Sequence, residues 1–416
     1  MVLGMKSVYT CLEKVFKRGT WKYYQNKYNG DFPICSKEES ERFINEYFKA
    51  GSKEAILSGI TLKNSENSEF QSHIQHTVVT FFLGILLKEK LFSDYELSIN
   101  GNEWKRKTYP FNYLWFLTCL FHDYGYYFKS SGNQVKTLYK RRQSIYRQQG
   151  VLNIKYTCRG INNGDGKICK RSCFNMVEHN KQCPKKSDNS PIELYKGKIF
   201  INRNSNSNDN LIVIGKPRYS SSLKTRYLRY MLEQRKELEH GILAADILFD
   251  RLLKNYVDKY CEYKKASDGK YSICYFELKN KFFICEQFKI WEYIGDCIAS
   301  HNIWKCPEGC EELYKSYQLE SLIGNKFKKI YFRDNPLLFI LCLCDSIEPT
   351  KRTGNIDVLK ELDFNAKDNG NSFSLKYMGS DEKIFEHFDN IEKCSDWLGI
   401  NVTKHKYDRN IEIDIL

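Results

Sequence analysis

His122 and Asp123 close the run "LWFLTCLFHDYGYYF" at residues 114–128, where an otherwise apolar helix meets an imidazole and a carboxylate. Burying an ionised carboxylate without a partner costs several kcal/mol, so such groups are usually paired or bound to metal. Four other residues have the same character. His76 lies on the apolar face of "HIQHTVVTFFLGILLKEK", and His240 precedes Gly241 at the apolar start of "EHGILAADILFD". His301 ends "IASHNIW", and Asp345 stands inside "LLFILCLCDSIEP". A lone histidine on an apolar helix is more often a hydrogen-bonded core residue, and an aspartate at a helix end is often a cap. An adjacent His-Asp pair with four further polar residues in core-like helices is harder to assemble by chance. One explanation covers all of them: they converge on metal. Imidazole and carboxylate suit Mn, Fe, Zn, Co or Mg ions that keep open catalytic positions. His76, His122, Asp123, His240, His301 and Asp345 together exceed what one ion usually takes from protein, and they fit two divalent metals with the aspartate between them.

The elements that must position these residues are mainly helical. Residues 38–57, 68–92 and 111–128 read as helices, and a basic helix is expected over 131–149. Helical periodicity returns in "EQRKELEHGILAADILFDRLLKNYVDKY" and "EQFKIWEYIGDCIAS". "NPLLFILCLCDSIEPTKR" reads as a helix begun near Pro336 and stopped near Pro349. The segment 150–216 changes to Gly, Asn, Ser and Cys with short β-like runs "KIFIN" and "LIVIG". "DFNAKDNGNSFSLKY" predicts a β-hairpin turning at Asp368-Asn369, followed by a helix over 380–398 and a polar extended end. The expected organisation is a helical catalytic domain from 1–150 and 217–352, an inserted Cys-rich subdomain over 151–216, and an α+β C-terminal segment over 353–416.

The order His76, His122-Asp123, His240, His301, Asp345 resembles the HD-domain metal-dependent phosphohydrolase superfamily, over roughly residues 68–150 and 230–352. "FHDYGY" is similar to the family's His-Asp motif, "EHGILAADILFD" to its His-Gly helix start, and "CDSIEPTKR" to the closing segment of bacterial diadenosine tetraphosphate hydrolases. The resemblance implies an HD-type helical bundle with a binuclear site. His76, His122, Asp123 and Asp345 would hold one metal, and Asp123 would bridge to a second completed by His240 and His301. It also implies hydrolysis of a phosphoester or phosphoanhydride in a nucleotide by a metal-activated hydroxide. The substrate could be a dinucleotide polyphosphate, a cyclic nucleotide or a (d)NTP. The chain lacks the histidines that dNTP triphosphohydrolases carry shortly after the His-Asp pair, and the Gly-Tyr-Pro signature of cyclic-di-GMP phosphodiesterases. Two alternatives stay open: a dNTP triphosphohydrolase-like enzyme of bacterial antiviral defence, and a non-catalytic nucleotide or nucleic-acid sensor on the same scaffold. Substrate-binding candidates are His73, one helical turn before His76, with Asn302, Lys351 and Arg352. A solvated His73 and ordinary helix-end cations at 351–352 are the bland readings of the same residues.

A second cluster lies in the insert. Cys158, Cys169, Cys173 and Cys183, or three of these thiolates with His179, can close a tetrahedral structural zinc site. Reduced unpaired cysteines and a redox disulfide are the other readings. Cys119, Cys297, Cys342 and Cys344 fall inside apolar helical patterns and are expected to be buried thiols. The flanks "KTLYKRRQSIYR" and "KPRYSSSLKTRYLRY" interleave cations with tyrosines, as a surface for phosphates and stacked bases would, or as a solvated helix whose tyrosines pack inward. The net charge of +14 over 416 residues favours an anionic partner. The expected partners are a nucleotide substrate, with nucleic acid and a second copy of the chain left open. The apolar runs are too short to span a bilayer and the N-terminal stretch lacks an apolar signal core, so no membrane and a cytoplasmic location are expected.

Overall fold

The computed structural model describes residues 6–19, 31–51, 68–93, 95–100, 111–126, 156–157, 172–173, 198–203, 212–214, 218–237, 239–245, 248, 293–367, 370–405 and 409–416. The described chain is mostly helical, with a small antiparallel sheet towards the C-terminal end. Among the described residues no helix is long and apolar enough to cross a membrane. The expected basic helix over 131–149 lies outside the described residues, as do Cys158, Cys169, His179 and Cys183.

Helices α1 (Val8–Arg18), α2 (Lys37–Gly51), α3 (Ser68–Leu91) and α4 (Phe111–His122) build the first part of the body. From Ile74 to Leu87 nearly every side chain of α3 is buried. Its apolar residues lie on every side, the pattern of a helix enclosed by others. It packs against α1, α2 and α4. The α3–α4 contact is close because Gly84 lies beneath Trp115: a Cβ there would stand 2.2 Å from the indole. Trp115 in turn donates its ring N–H to the Phe81 carbonyl at 2.8 Å.

Helix α5 (Ser221–Tyr230) runs into a π-turn over Met231–Arg235. The continuous helix expected from Glu233 onward is broken here: Lys236 adopts φ 56°, and helical structure resumes at 240–245. The apolar period persists across the break, which is why the sequence reads through it. The inward alternative also holds for this flank. Tyr219, Tyr227 and Tyr230 are buried, and Lys224 is 1% exposed in an ion pair with Asp296, which is 2% exposed. The Asp296 carboxylate also accepts from the Arg218 backbone at 2.7 Å. Tyr219 and Tyr227 donate to the carbonyls of Ile303 and Asn302, each at 3.1 Å. Lys224 and the Arg218 backbone thus hold the helical segment 293–300, and Tyr219 and Tyr227 hold the turn after it.

Helix α6 (Pro336–Ile347) starts on Pro336, whose fixed φ suits a first helical position, and is almost wholly buried. It stops because Pro349 disfavours helical geometry in the preceding residue. Glu348 accordingly leaves the helix at ψ 115°. The short α7 (Thr350–Thr353) follows and ends at Gly354, φ 67°. Cys119, Cys297, Cys342 and Cys344 are buried free thiols, as expected.

The C-terminal sheet has strand order β1 (Lys6–Ser7), β7 (Leu362–Ala366), β8 (Ser372–Tyr377), β10 (Asn410–Ile415) and β9 (Ile400–His405), with every paired neighbour antiparallel. Strands β7 (Leu362–Ala366) and β8 (Ser372–Tyr377) form the expected hairpin, with Gly370 at φ 70° in the turn. Strands β9 (Ile400–His405) and β10 (Asn410–Ile415) complete one side. Strand β1 (Lys6–Ser7) closes the other, pairing Lys6 with Phe364. Helix α8 (Lys383–Cys394) packs on β9 and on α6 and α7. Two smaller sheets include short strands from the 151–216 region. β2 (Tyr95–Asn100), β5 (Lys198–Arg203) and β6 (Ile212–Ile214) form one, and β3 (Tyr156–Thr157) with β4 (Ser172–Cys173) forms the other. The backbone of Cys173 thus sits in β4, opposite Tyr156.

Candidate metal centre

Six elements deliver the polar residues to one place. Helix α3 carries His73 and His76, α4 ends on His122, and the turn after α4 carries Asp123. His240 opens the helical segment 240–245, His301 follows the segment 293–300, and α6 carries Asp345. Glycines permit the approach. A Cβ on Gly125 would lie 2.0 Å from the His240 carbonyl oxygen, and one on Gly241 would lie 2.7 Å from His301 Cε1.

Three histidines have one ring nitrogen fixed by an acceptor. A carbonyl only accepts, so His122 Nδ1 must carry the proton it directs at the Cys119 carbonyl. His301 does the same to the Ile298 carbonyl at 2.6 Å. His76 Nδ1 lies 2.6 Å from the buried Glu348 carboxylate. For His122 and His301 this leaves Nε2 to the cluster, since the second nitrogen of a neutral imidazole is an acceptor, whereas His76 Nε2 meets the Asp345 carboxylate. Two groups result in which all ligand atoms lie within 4.8 Å of one another: His76, His122 and Asp123, and Asp123, His240 and His301. Asp345 Oδ1 borders the first group, 2.9 Å from His76 Nε2 and 3.8 Å from His122 Nε2. Asp123 is common to both groups, with Oδ1 lying 3.2 Å from His240 Nε2 and 3.5 Å from His122 Nε2. His122 Nε2, Asp123 Oδ1 and His301 Nε2 are nevertheless buried without any hydrogen bond. These buried His/Asp groups can hold metal ions.

No protein-family model, curated protein or solved structure matches the chain. The chemistry therefore rests on the residues themselves.

Burial opposes charge throughout the cluster, and the partners decide the outcome. Asp123 would be raised by burial, but His122, Lys351, His240 and His73 hold it well below the usual carboxylate range. Burial likewise acts on Asp345, and Lys351, His122 and His76 overcome it. Burial and Lys351 oppose a charge on His76, yet the Asp345 and Glu348 carboxylates push its pKa up to about 9. His301 goes the other way, to about 3, through burial first and then its neighbours His240 and His122. A neutral His301 beside two ionised aspartates is a lone-pair donor set with negative charge at its centre, the composition of a cation site.

The proposed substrate-binding residues divide. His73 does not face solvent: its Nδ1 is 2.8 Å from Asp123 Oδ2, so it holds the aspartate. The Asn302 amide nitrogen lies 2.8 Å from His240 Nε2, placing Asn302 against a candidate ligand. Lys351 reaches into the site, with Nζ 3.4 Å from Asp123 Oδ2 and 3.7 Å from Asp345 Oδ1. Arg352 is exposed, and its charge is felt by His387 and Cys394 of α8.

Three residues of the site escape sequence reasoning. The Tyr126 ring stacks between His73 and His240, at 4.1 Å and 4.0 Å between centroids, and fixes both planes. Glu239 accepts from the backbone N–H groups of Gly241, at 3.1 Å, and Ile242, capping the segment that begins with His240. Glu348 accepts from His76 and from the backbone of α7. Available signals were Glu239 directly before His240, and Glu348 wedged between an apolar helix and Pro349.

Proposed function

We propose that this chain is an HD-type, metal-dependent phosphohydrolase that cleaves a phosphoester or phosphoanhydride bond in a nucleotide. The observation that carries the reading is the meeting of three buried atoms without hydrogen-bond partners, His122 Nε2, Asp123 Oδ1 and His301 Nε2. Each buried unsatisfied acceptor costs roughly 1–3 kcal/mol. Three such acceptors within the same pair of ligand groups are satisfied together by cations. His76, His122, Asp123 and Asp345 would hold one ion, and Asp123, His240 and His301 a second. A divalent ion there supplies a Lewis acid and draws the pKa of bound water towards neutrality.

The protein's own residues support phosphate as the target. The Lys351 ammonium stands beside the two aspartates, where it would bind an anionic oxygen. Burial would lower its pKa, but the Asp123 and Asp345 carboxylates hold it raised, so it stays cationic. His73 and Tyr126 keep Asp123 and His240 in place while substrate enters. The formal charge of +14 favours an anion over a neutral substrate. The order of the ligands along the chain, which resembles the HD superfamily, narrows the anion to a nucleotide. Dinucleotide polyphosphates, cyclic nucleotides and (d)NTPs are the substrates to try.

The test joins elemental analysis of the purified protein to a nucleotide hydrolysis panel with Mn, Fe, Co, Zn and Mg. Transition metal in the wild type and turnover of at least one nucleotide are expected. Both should be lost in the His122→Ala/Asp123→Ala double variant. Full hydrolysis by that variant overturns the proposal, and tight nucleotide binding without turnover by the metal-loaded wild type points to a sensor.

A further inference from the structure

Glu348 is 1% exposed, and three donors converge on its carboxylate. Its Oε2 lies 2.6 Å from His76 Nδ1 and accepts from the Lys351 backbone N–H at 3.2 Å. Oε1 accepts from the Thr350 backbone N–H at 2.8 Å. This geometry follows from Pro349, which turns Glu348 out of α6 and back towards α3. A carboxylate is the one side-chain group that accepts at both of its ends. Glutamine would have to set an N–H against either the His76 ring or the Thr350 backbone.

We infer that Glu348 is a positioning residue whose single carboxylate aims His76 Nε2 at the ligand cluster and anchors the backbone that presents the Lys351 ammonium. The inference rests on the metal reading above. It ties two tasks together. The oxygen that orients a candidate metal ligand also fixes the residue proposed to meet substrate. A carboxylate behind a ligating histidine fixes its ring and raises its basicity. An ordinary helix cap would serve Thr350 and Lys351 alone and would leave His76 Nδ1 without this acceptor.

The test is a visible-absorbance titration with Co2+ of the full-length wild type, Glu348→Gln and Glu348→Asp. Glu348→Gln should weaken Co2+ binding roughly 10–100-fold, and Glu348→Asp should recover part of the loss. In parallel, Zn2+-loaded wild type labelled with 15N-histidine should show a slowly exchanging downfield Nδ1 proton. That signal should disappear in His76→Gln, which assigns it. A folded Glu348→Gln variant that binds Co2+ within twofold of wild type overturns the inference while leaving the metal reading intact. If that variant does not fold, the wild-type signal decides, and its absence overturns the inference. Wild type that binds no Co2+ removes the metal reading and this inference with it.

Discussion

In the C-terminal sheet, Ile411 and Ile413 face the core while Glu412 between them turns outward to Lys367. The covering helix α8 buries Ile384, His387, Phe388, Ile391 and Cys394 at helical spacing. Its buried histidine donates Nε2–H to the Ile347 carbonyl at 3.1 Å, and its Nδ1 is left without a partner. The helical body buries isolated atoms of this kind too, such as Thr80 Oγ1, but three of its unpartnered atoms, His122 Nε2, Asp123 Oδ1 and His301 Nε2, belong to interlocking ligand groups. The difference teaches how to read a buried orphan. An isolated one is a tolerated defect in a core, whereas orphans that converge around a carboxylate form a place for a cation. Burial alone separates the two poorly, since His387 and His301 are both buried and both hold depressed pKa values, of about 4 and about 3.

The comparison breaks most sharply at Asp123, which both ligand groups share. Asp123→Asn keeps the shape and removes the charge. Metal content by elemental analysis should fall towards zero, and hydrolysis should fall by roughly 10³-fold or more. Retained metal would mean that the orphans of the body are defects of the same kind as His387.

Lys351→Met comes next. It should lower kcat/KM by roughly 10²-fold while metal affinity stays level or tightens, because the ammonium lies 3.4 Å from Asp123 and 3.7 Å from Asp345. A metal titration beside steady-state kinetics separates the two effects, and lost metal would assign Lys351 a structural role.

His387 tests the other side of the comparison. Burial first, and then the charge of Arg352, lower its pKa from 6.5 to about 4 in the folded chain. The unfolded ring takes its proton near 6.5 and the folded ring only near 4. Stability from this residue is therefore complete above pH 6.5, declines as the pH falls towards 4, and levels off below. The loss is on the order of 3 kcal/mol. His387→Leu should flatten that part of the denaturation-versus-pH curve and leave metal content unchanged. A fall in metal content would join His387 to the site. Arg352→Ala should do least, within about 0.5 kcal/mol in stability and near wild-type kcat/KM, as expected for an exposed side chain; a large fall in kcat/KM would assign it to substrate.

What the sequence made legible follows from contrast. His76, His122, Asp123, His240, His301 and Asp345 stand out because a polar residue interrupts an apolar helix, and the structure brings them together. The C-terminal hairpin was legible through its Asp-Asn-Gly-Asn turn. Glu348 and Glu239 were not, because glutamate is an ordinary surface residue and their burial depends on chain direction after Pro349 and before Gly241. The break at Lys236 was hidden by apolar spacing that continues through it. His73 is legible beside His76, one helical turn away, but its hydrogen bond to Asp123 is not, because that residue comes from another helix end.

Strand β1 has a consequence in time. Lys6 and Ser7 pair with Phe364 and Asp363, so the edge of the sheet waits for a segment made more than three hundred residues later. At roughly 5–20 residues per second, translation separates the two partners by some tens of seconds. Asp345 is also a late arrival, following His76 by 269 residues. A nascent chain stalled before α6 is made should therefore leave uncovered the faces of α3 and α4 on which α6 packs, and be a client of chaperones holding apolar helices. Limited proteolysis of ribosome-bound chains stalled before and after residue 366 would show whether protection of the α1–α4 region arrives as a single late event.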